Sequence, residues 1–398
     1  MPPSDVGILL AALVLFISNI QLSSEDNSQQ SNIKLVSKFS NNLVPHLFKA
    51  LSEENENLVF SPFGLASNVM MVIENADKAA VGEIVDIFKL GKTRMQLKRG
   101  FKTLNEEFMV NSLKDDLAGV FSRISVVTSQ PLASSFEEIL RNYFQANVTT
   151  VHNETVLDDD SIARGTAVRL ESEIGVVSHW LDYQRLAVYT YLSHNPASLF
   201  YLSPNVTVRV PMIPQIGAFR GGYVPQIKSY VAELKLQTSC MRLVLLMPNA
   251  TTPGSSEEEL AKLSFRSGLD ELLNVIPAKE MEVLLPQLAI IEKDIDLEQV
   301  LRDFGVDLIF NDTLVERSKD SVYIESIKQN AYFSTSFTTV NSASAIEADL
   351  GIRPSARKKR QVKTRLIFNK PFLFYLMHCR NGLILLTGKV VNPTQVPS

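Results

Sequence analysis

The sequence predicts an α+β fold. Helical periodicity dominates its first third, and short runs of β-formers closed by turn residues dominate from about Leu186 onward. No Pro/Gly/Ser-rich linker divides the rest of the chain, which predicts one continuous domain. With 398 residues, 45% hydrophobic and 21% charged, the chain can bury a sizeable core.

The first element is Val6 to Ile20, an uncharged run too short for a membrane span and placed where a secretory signal belongs. The expectation is a signal peptide over residues 1–24 and a mature domain over 25–398, secreted and extracellular. Sequons at Asn147, Asn153, Asn205, Asn249 and Asn311 support it, since an N-glycosylated asparagine lies on the surface of a secreted chain.

Val36, Phe39, Leu43, Leu47 and Leu51 recur at three- and four-residue spacing and predict an amphipathic helix. Ser61-Pro62 opens a second, serine as cap and proline in the first turn, with Leu65, Val69, Val72 and Ala76 on one face. Val81, Ile84, Val85 and Phe88 mark a third. Strands follow at Val206–Met212 and Met241–Pro248, and one helix, Asp296 to Phe304, interrupts them. Two final strands, Phe372–Met377 and Leu383–Thr387, join through Arg380-Asn381-Gly382, where Asn-Gly signals a hairpin.

A net charge of -4 with interspersed signs argues against nucleic acid as a partner. No nucleophile elbow, His-Glu-x-x-His, phosphate-binding loop or Cys-x-x-Cys is present, so the reading is no enzyme, no cofactor and no metal. The histidines, His46, His152, His179, His194 and His378, are scattered, and His378, beside a strand, reads as a structural hydrogen bonder.

The most informative tract runs from 340 to 360. Small and apolar residues alternate weakly from Val340 to Ala348, and a basic cluster, Arg357-Lys358-Lys359-Arg360, follows. It has the character of a protease bait attached to a potential β-strand. Arg-x-Lys-Arg is the form that proprotein convertases prefer, because acidic pockets match several basic side chains at once.

Several segments, in order, resemble the serpin family. Asn57-Leu-Val-Phe-Ser-Pro-Phe-Gly-Leu65 is similar to its helix B entry, and Val208-Arg-Val-Pro-Met-Ile213 with Gly217-Ala-Phe-Arg-Gly-Gly-Tyr223 to its central strands. Val283–Leu288 and Leu297–Val306 resemble the segments before the reactive loop. Phe368-Asn-Lys-Pro-Phe-Leu-Phe374, His378 and Gly388-Lys-Val-Val-Asn-Pro393 resemble the C-terminal hairpin, and the resemblance runs from about Ile33 to Pro393.

The resemblance implies a monomeric suicide inhibitor of a serine endopeptidase, with helices around a large mixed or antiparallel main sheet, two smaller sheets and an exposed reactive-centre loop at about 339–366. Cleavage lets the loop enter the main sheet as a new strand, so every second residue must turn inward. Val340, Ser342, Ser344, Ile346, Ala348 and Leu350 would point in; Asn341, Ala343, Ala345, Glu347 and Asp349 would point out.

Counting from the hinge places the scissile bond at Arg353-Pro354, and counting back from Phe368 places it at Arg360-Gln361. The loop is thus about seven residues longer than the family norm. Proline after the cut obstructs trypsin-like proteases, so Arg360 is the preferred site. A basic-specific inhibitor, a convertase substrate and a plain solvated loop remain as readings of the basic cluster.

Departures favour a non-inhibitory member, a substrate, carrier or signalling module. The hinge reads Phe337-Thr338-Thr339-Val340, and Thr339 resists the positive φ that glycine tolerates. The shutter residues become Gly64, Thr190 and Gln329; Ser198 takes the breach position, which Trp180 does not reach; and 152–185 matches poorly and looks shortened. Cys240 and Cys379 fall where the family places two strands of one sheet, so a disulfide and two thiols are both open. Lys89, Lys92, Arg94, Lys98, Arg99 and Lys102 lie near helix D, where some members bind heparin-like polyanions; a solvated helix face is the alternative.

Overall fold

The computed structural model describes residues 4–53, 55–114, 119–128, 131–150, 166–177, 198–235, 240–249, 268–310, 322–335 and 364–395. Helix α1, Ser4–Leu51, buries Val36, Phe39, Leu43 and Leu47, as the stripe predicts, and runs back through the uncharged stretch Val6–Ile20. Among the described residues no helix is long and apolar enough to cross a membrane.

Strand β1, Leu58–Phe60, leads into α2, Pro62–Asn75. Ser61 caps α2, its Oγ accepting from the Gly64 N–H at 3.0 Å, so the Ser-Pro reading holds. The expected stripe is too narrow, however, because every residue from Pro62 to Ile73 is buried. The cause is position: α1 packs on one side of α2 and a sheet on the other. Helix α3, Lys78–Ile87, is capped by Asp77 and buries Ile84, and α4, Arg94–Lys114, lies against α1.

The sheet begins earlier than the sequence reading places it. β2 (Gly119–Thr128), β3 (Asn147–Thr150) and β4 (Thr166–Val177) all precede Leu186, with α5 (Ser134–Phe144) between the first two. Their alternation is clear once paired: Ile124, Val126 and Thr128 are buried, and so are Val168, Leu170, Ser172 and Ile174. The 152–185 stretch therefore contains a full strand, β4, and only residues 151–165 connect it to β3.

After the β5–β6 hairpin (Ser198–Ser203, Val206–Val210) come β7 (Met212–Val224), β8 (Ser229–Lys235) and β9 (Met241–Pro248). Among the described residues two short helices interrupt the later strands: α6, Leu269–Asn274, and α7, Glu298–Asp303, the latter inside the expected range. β10 (Ala278–Pro286), β11 (Ala289–Asp296), β12 (Val322–Ser334), β13 (Arg365–Ile367), β14 (Phe372–His378) and β15 (Ile384–Val390) complete the chain.

A mixed five-stranded sheet has the order β11-β12-β4-β2-β3, and an eight-stranded one the order β1-β15-β14-β9-β8-β7-β10-β13. Both strands of the β14–β15 hairpin are fully buried, and Gly382 supplies the positive φ, 67°, of its turn. Gly388 is required where β1 crosses β15, since a Cβ there would collide with the Leu58 carbonyl.

Candidate functional site

The site assembles where both stems of the 336–363 segment meet β10. At the N-terminal stem Thr335 is 3% exposed; its Oγ1 donates to Pro286 O at 2.8 Å and accepts from Leu288 N at 3.0 Å. Its own N–H donates to Leu288 O at 3.0 Å. At the other stem Glu282 N donates to Thr364 O at 3.0 Å, and Arg365 Nε lies 2.6 Å from Glu282 Oε2. Both anchors sit within four residues of one strand, about 14 Å apart. The 28 residues of 336–363 could span about 90 Å.

β12 feeds directly into the first stem and pairs in parallel with β4 from Val322↔Thr166 to Ser334↔Val177. β12 is antiparallel to β11 on its other side. A strand returning from Thr335 runs antiparallel to β12, and only between β12 and β4 would it be antiparallel to both neighbours. Such an entry exchanges one parallel ladder for two antiparallel ones, which are slightly more stable per residue.

Beneath this ladder lies a small buried polar cluster. Gln329 on β12 and Ser172 on β4 are register partners, both buried, and Gln329 Nε2 lies 3.4 Å from Ser172 Oγ. The Gln329 amide grips the N-cap of α2: Oε1 accepts from Ser61 N at 2.6 Å and Nε2 donates to Ser61 O at 3.0 Å. Ser61 Oγ donates in turn to Leu385 O at 2.5 Å. Gly64 makes room for the amide, since a Cβ there would stand 2.6 Å from Ile174 Cδ1, 2.7 Å from Gln329 Nε2 and 2.9 Å from Ser172 Oγ.

The structure thus brings Gly64 and Gln329 together and adds Ser61 and Ser172, which the sequence reading missed. The available signal was a polar break in each inward series: Gln329 among Ile327, Ala331 and Phe333, and Ser172 among Val168, Leu170 and Ile174. On the outer face Arg169 makes a bidentate pair with Glu325 at 2.8 and 2.9 Å, spanning the two strands. Burial, then Glu173, pushes the Tyr332 hydroxyl pKa up. Near the β11 edge burial raises the Glu292 carboxyl pKa, reinforced by Glu56 and Glu53.

Thr339, Val340, Ser342, Ser344, Arg353, Pro354, Arg357, Lys358, Lys359, Arg360 and Gln361 lie outside the described residues, as do Trp180, Thr190, Asn153 and Asn311. Ser198, the counted breach position, opens β5 opposite Val210. Asn147, Asn205 and Asn249 are all exposed. Cys240 and Cys379 are joined, with Cα atoms 5.3 Å apart, at the end of the β9–β14 pair. His378 is buried and its Nε2 lies 3.2 Å from Glu107 Oε1; that hydrogen bond holds the Glu107 carboxyl below its ordinary range.

The basic cluster is not one solvated face. Lys98 is 8% exposed, its Nζ 2.9 Å from Glu74 Oε2 and 4.7 Å from the centroid of the Tyr143 ring. Arg94 Nε lies 3.1 Å from the same carboxylate. Lys89, Arg99 and Lys102 remain exposed.

A family model described as "Serpin (serine protease inhibitor)" matches residues 38–162 and 193–393. Human serpin B11 is 22% identical over 386 residues, covering 87% of this chain and 96% of its own. Serpin B6 of Pongo abelii is 22% identical over 371 residues, covering 87% of this chain and 96% of its own. Among solved structures, native protease nexin-1 with heparin superposes with a TM-score of 0.67 at 17% identity, over 92% of this chain and 100% of that one. Mouse protein-Z dependent protease inhibitor gives 0.68 at 15% identity, over 93% and 100%.

Proposed function

The chain belongs to the serpin family, and from that premise we propose that it is a secreted, monomeric inhibitor of a basic-specific serine endopeptidase, trypsin-like or a proprotein convertase. The protease cuts at Arg360-Gln361, and the freed tract from Val340 to Leu350 enters the five-stranded sheet between β4 and β12. The observation that carries this reading is the parallel β4–β12 ladder fed directly by the loop stem at Thr335. The inward series Val340, Ser342, Ser344, Ile346, Ala348 and Leu350 supplies the small and apolar faces such an entry needs. Any heparin-like polyanion would meet Lys89, Arg99 and Lys102, because Glu74 engages Arg94 and Lys98.

Incubation with basic-specific proteases, read on a denaturing gel, tests the proposal. A complex that survives denaturation supports it; a cleaved product alone supports the second reading, a serpin whose loop is only cut. One length argument favours that second reading. A strand ending at Leu350 leaves ten further residues to Arg360, a tether of about 33 Å, against about 10 Å for a cut at Arg353. A slack tether distorts a captured protease poorly. Melting before and after the cut isolates the insertion step, and an unchanged midpoint would rule insertion out.

A further inference from the structure

The β5–β6 hairpin carries an exposed apolar face outside the loop and sheet machinery. Phe200 is fully buried, whereas its neighbours Leu199 and Tyr201, on the opposite face, are 42% and 36% exposed. Its base adjoins the reactive-loop stem: Gln287 N donates to Pro211 O, and Tyr201 N to Asn369 O, at 2.8 and 2.9 Å. The turn is Pro204-Asn205, and it carries the sequon Asn205-Val206-Thr207.

Tyr201 stands directly opposite Thr207 in the antiparallel register. Both are exposed, and Asn205 sits in the hairpin turn two residues before Thr207, so a pyranose attached to its amide starts at the end of the hairpin that carries the ring. The other sequon with a described threonine lacks this arrangement, since Thr149 of the Asn147 sequon faces Val127. We infer that Asn205 carries an N-linked glycan whose first sugar stacks on Tyr201 and covers this apolar face.

The chemistry is ordinary transfer from a polyprenyl-diphosphate-linked oligosaccharide. Asn205 Nδ2 bonds to the sugar C1 as the C1–O bond to the diphosphate breaks, the amide losing one proton and the diphosphate leaving as an anion. The sugar then presents its C–H face to the ring, and dispersion and apolar burial hold it there. A glycan so placed covers surface that would otherwise invite association. It also adds bulk at the pole where the reactive loop is anchored.

The inference rests on the secretory part of the proposed function, and the controls separate the two. The full chain is expressed in a eukaryotic secretory host and glycopeptides are read by mass spectrometry at Asn147, Asn205 and Asn249. The native protein is then treated with an endoglycosidase that cuts within the core sugars. Asn205 is expected to be occupied and trimmed about five- to tenfold more slowly than Asn249. Tyr201→Ala should abolish that protection and Tyr201→Phe should keep it, because the ring and not the hydroxyl is required.

Occupancy at Asn147 or Asn249 without Asn205 overturns the inference alone, and three empty sites overturn it together with the secretory reading. Equal trimming rates in wild type and Tyr201→Ala also overturn it, as would light scattering that shows a dimer broken by Tyr201→Ala with Asn205 unmodified. If Tyr201→Ala fails to be secreted, slow trimming in wild type lost in Leu199→Ser and kept in Tyr201→Phe supports the same conclusion, and fast trimming in wild type refutes it.

Discussion

Gln329→Ala should loosen the five-stranded sheet without touching the loop. The substitution removes both hydrogen bonds to the Ser61 backbone and leaves the Ser61 N–H buried without its acceptor. A buried backbone donor stripped of its partner costs about 1–3 kcal/mol, and the void left beside Gly64 adds about 1 more. The closed sheet therefore loses about 2–4 kcal/mol. If that loss appears wholly in the barrier to parting β4 from β12, opening accelerates by about 30- to 700-fold. The assay follows spontaneous conversion to a heat-resistant form at 37 °C without protease, by melting of timed samples. The unconverted protein should also melt earlier than wild type.

Gly64→Ala supplies the matching half of the test. Its methyl meets Ile174, Gln329 and Ser172 at 2.6–2.9 Å, an overpacking that costs about 1–3 kcal/mol. Combined with Gln329→Ala, part of that clash disappears, so the double variant should lose less than the two singles together. Strict additivity, or an unchanged melting point and no conversion in Gln329→Ala, would refute the assignment of this cluster as the latch under the sheet.

Four further expectations follow, two from the fold and two from the loop sequence. Ser67 Oγ and both amide atoms of Asn68 are buried in α2 with no hydrogen-bond partner among the described residues; Asn68→Leu should stabilise the uncleaved form by about 1–3 kcal/mol and lower complex yield, both measurable on one preparation. Glu292 has a raised folded pKa, so its ionisation destabilises the fold as pH rises above the unfolded value, about 4.3. Glu292→Gln should therefore match wild type near pH 4 and melt higher at pH 7, and a constant gap across that range would contradict the shift. Arg360→Ala should abolish complex and cleavage alike, and deleting residues 351–356, which keeps the Arg357–Arg360 cluster, should raise the ratio of complex to cleaved product by shortening the tether.

Local signals made part of the fold legible. Ser61-Pro62 announces α2 because cap and first-turn proline act within one turn, and Asn381-Gly382 announces the last hairpin because only such residues accept its turn. β2 and β4 were legible but missed: Arg123, Ser125, Glu171 and Glu173 alternate with buried residues, Gly119 opens β2 and Gly165 directly precedes β4. The pairing of β4 with β12 is also non-local. The Gln329–Ser172 contact joins residues 157 apart, and neither polar residue means anything until the parallel register sets them face to face.

The buried cluster changes how two of the departures from the family pattern weigh. Gly64 and Gln329, read singly, are losses from a polar cluster; in the structure they are complementary, the missing Cβ at 64 making space for the amide at 329, which binds Ser61 on both its N–H and its carbonyl. A closed sheet with a satisfied latch is no argument against inhibition. The residues that still oppose trapping, Thr339 and the extra length before Arg360, both belong to the loop. Sheet and loop therefore fail independently, and the two variants that probe them have separate readouts. Gln329→Ala reports on whether the ladder can part, and the shortened loop reports on whether a parted ladder can hold a protease under tension.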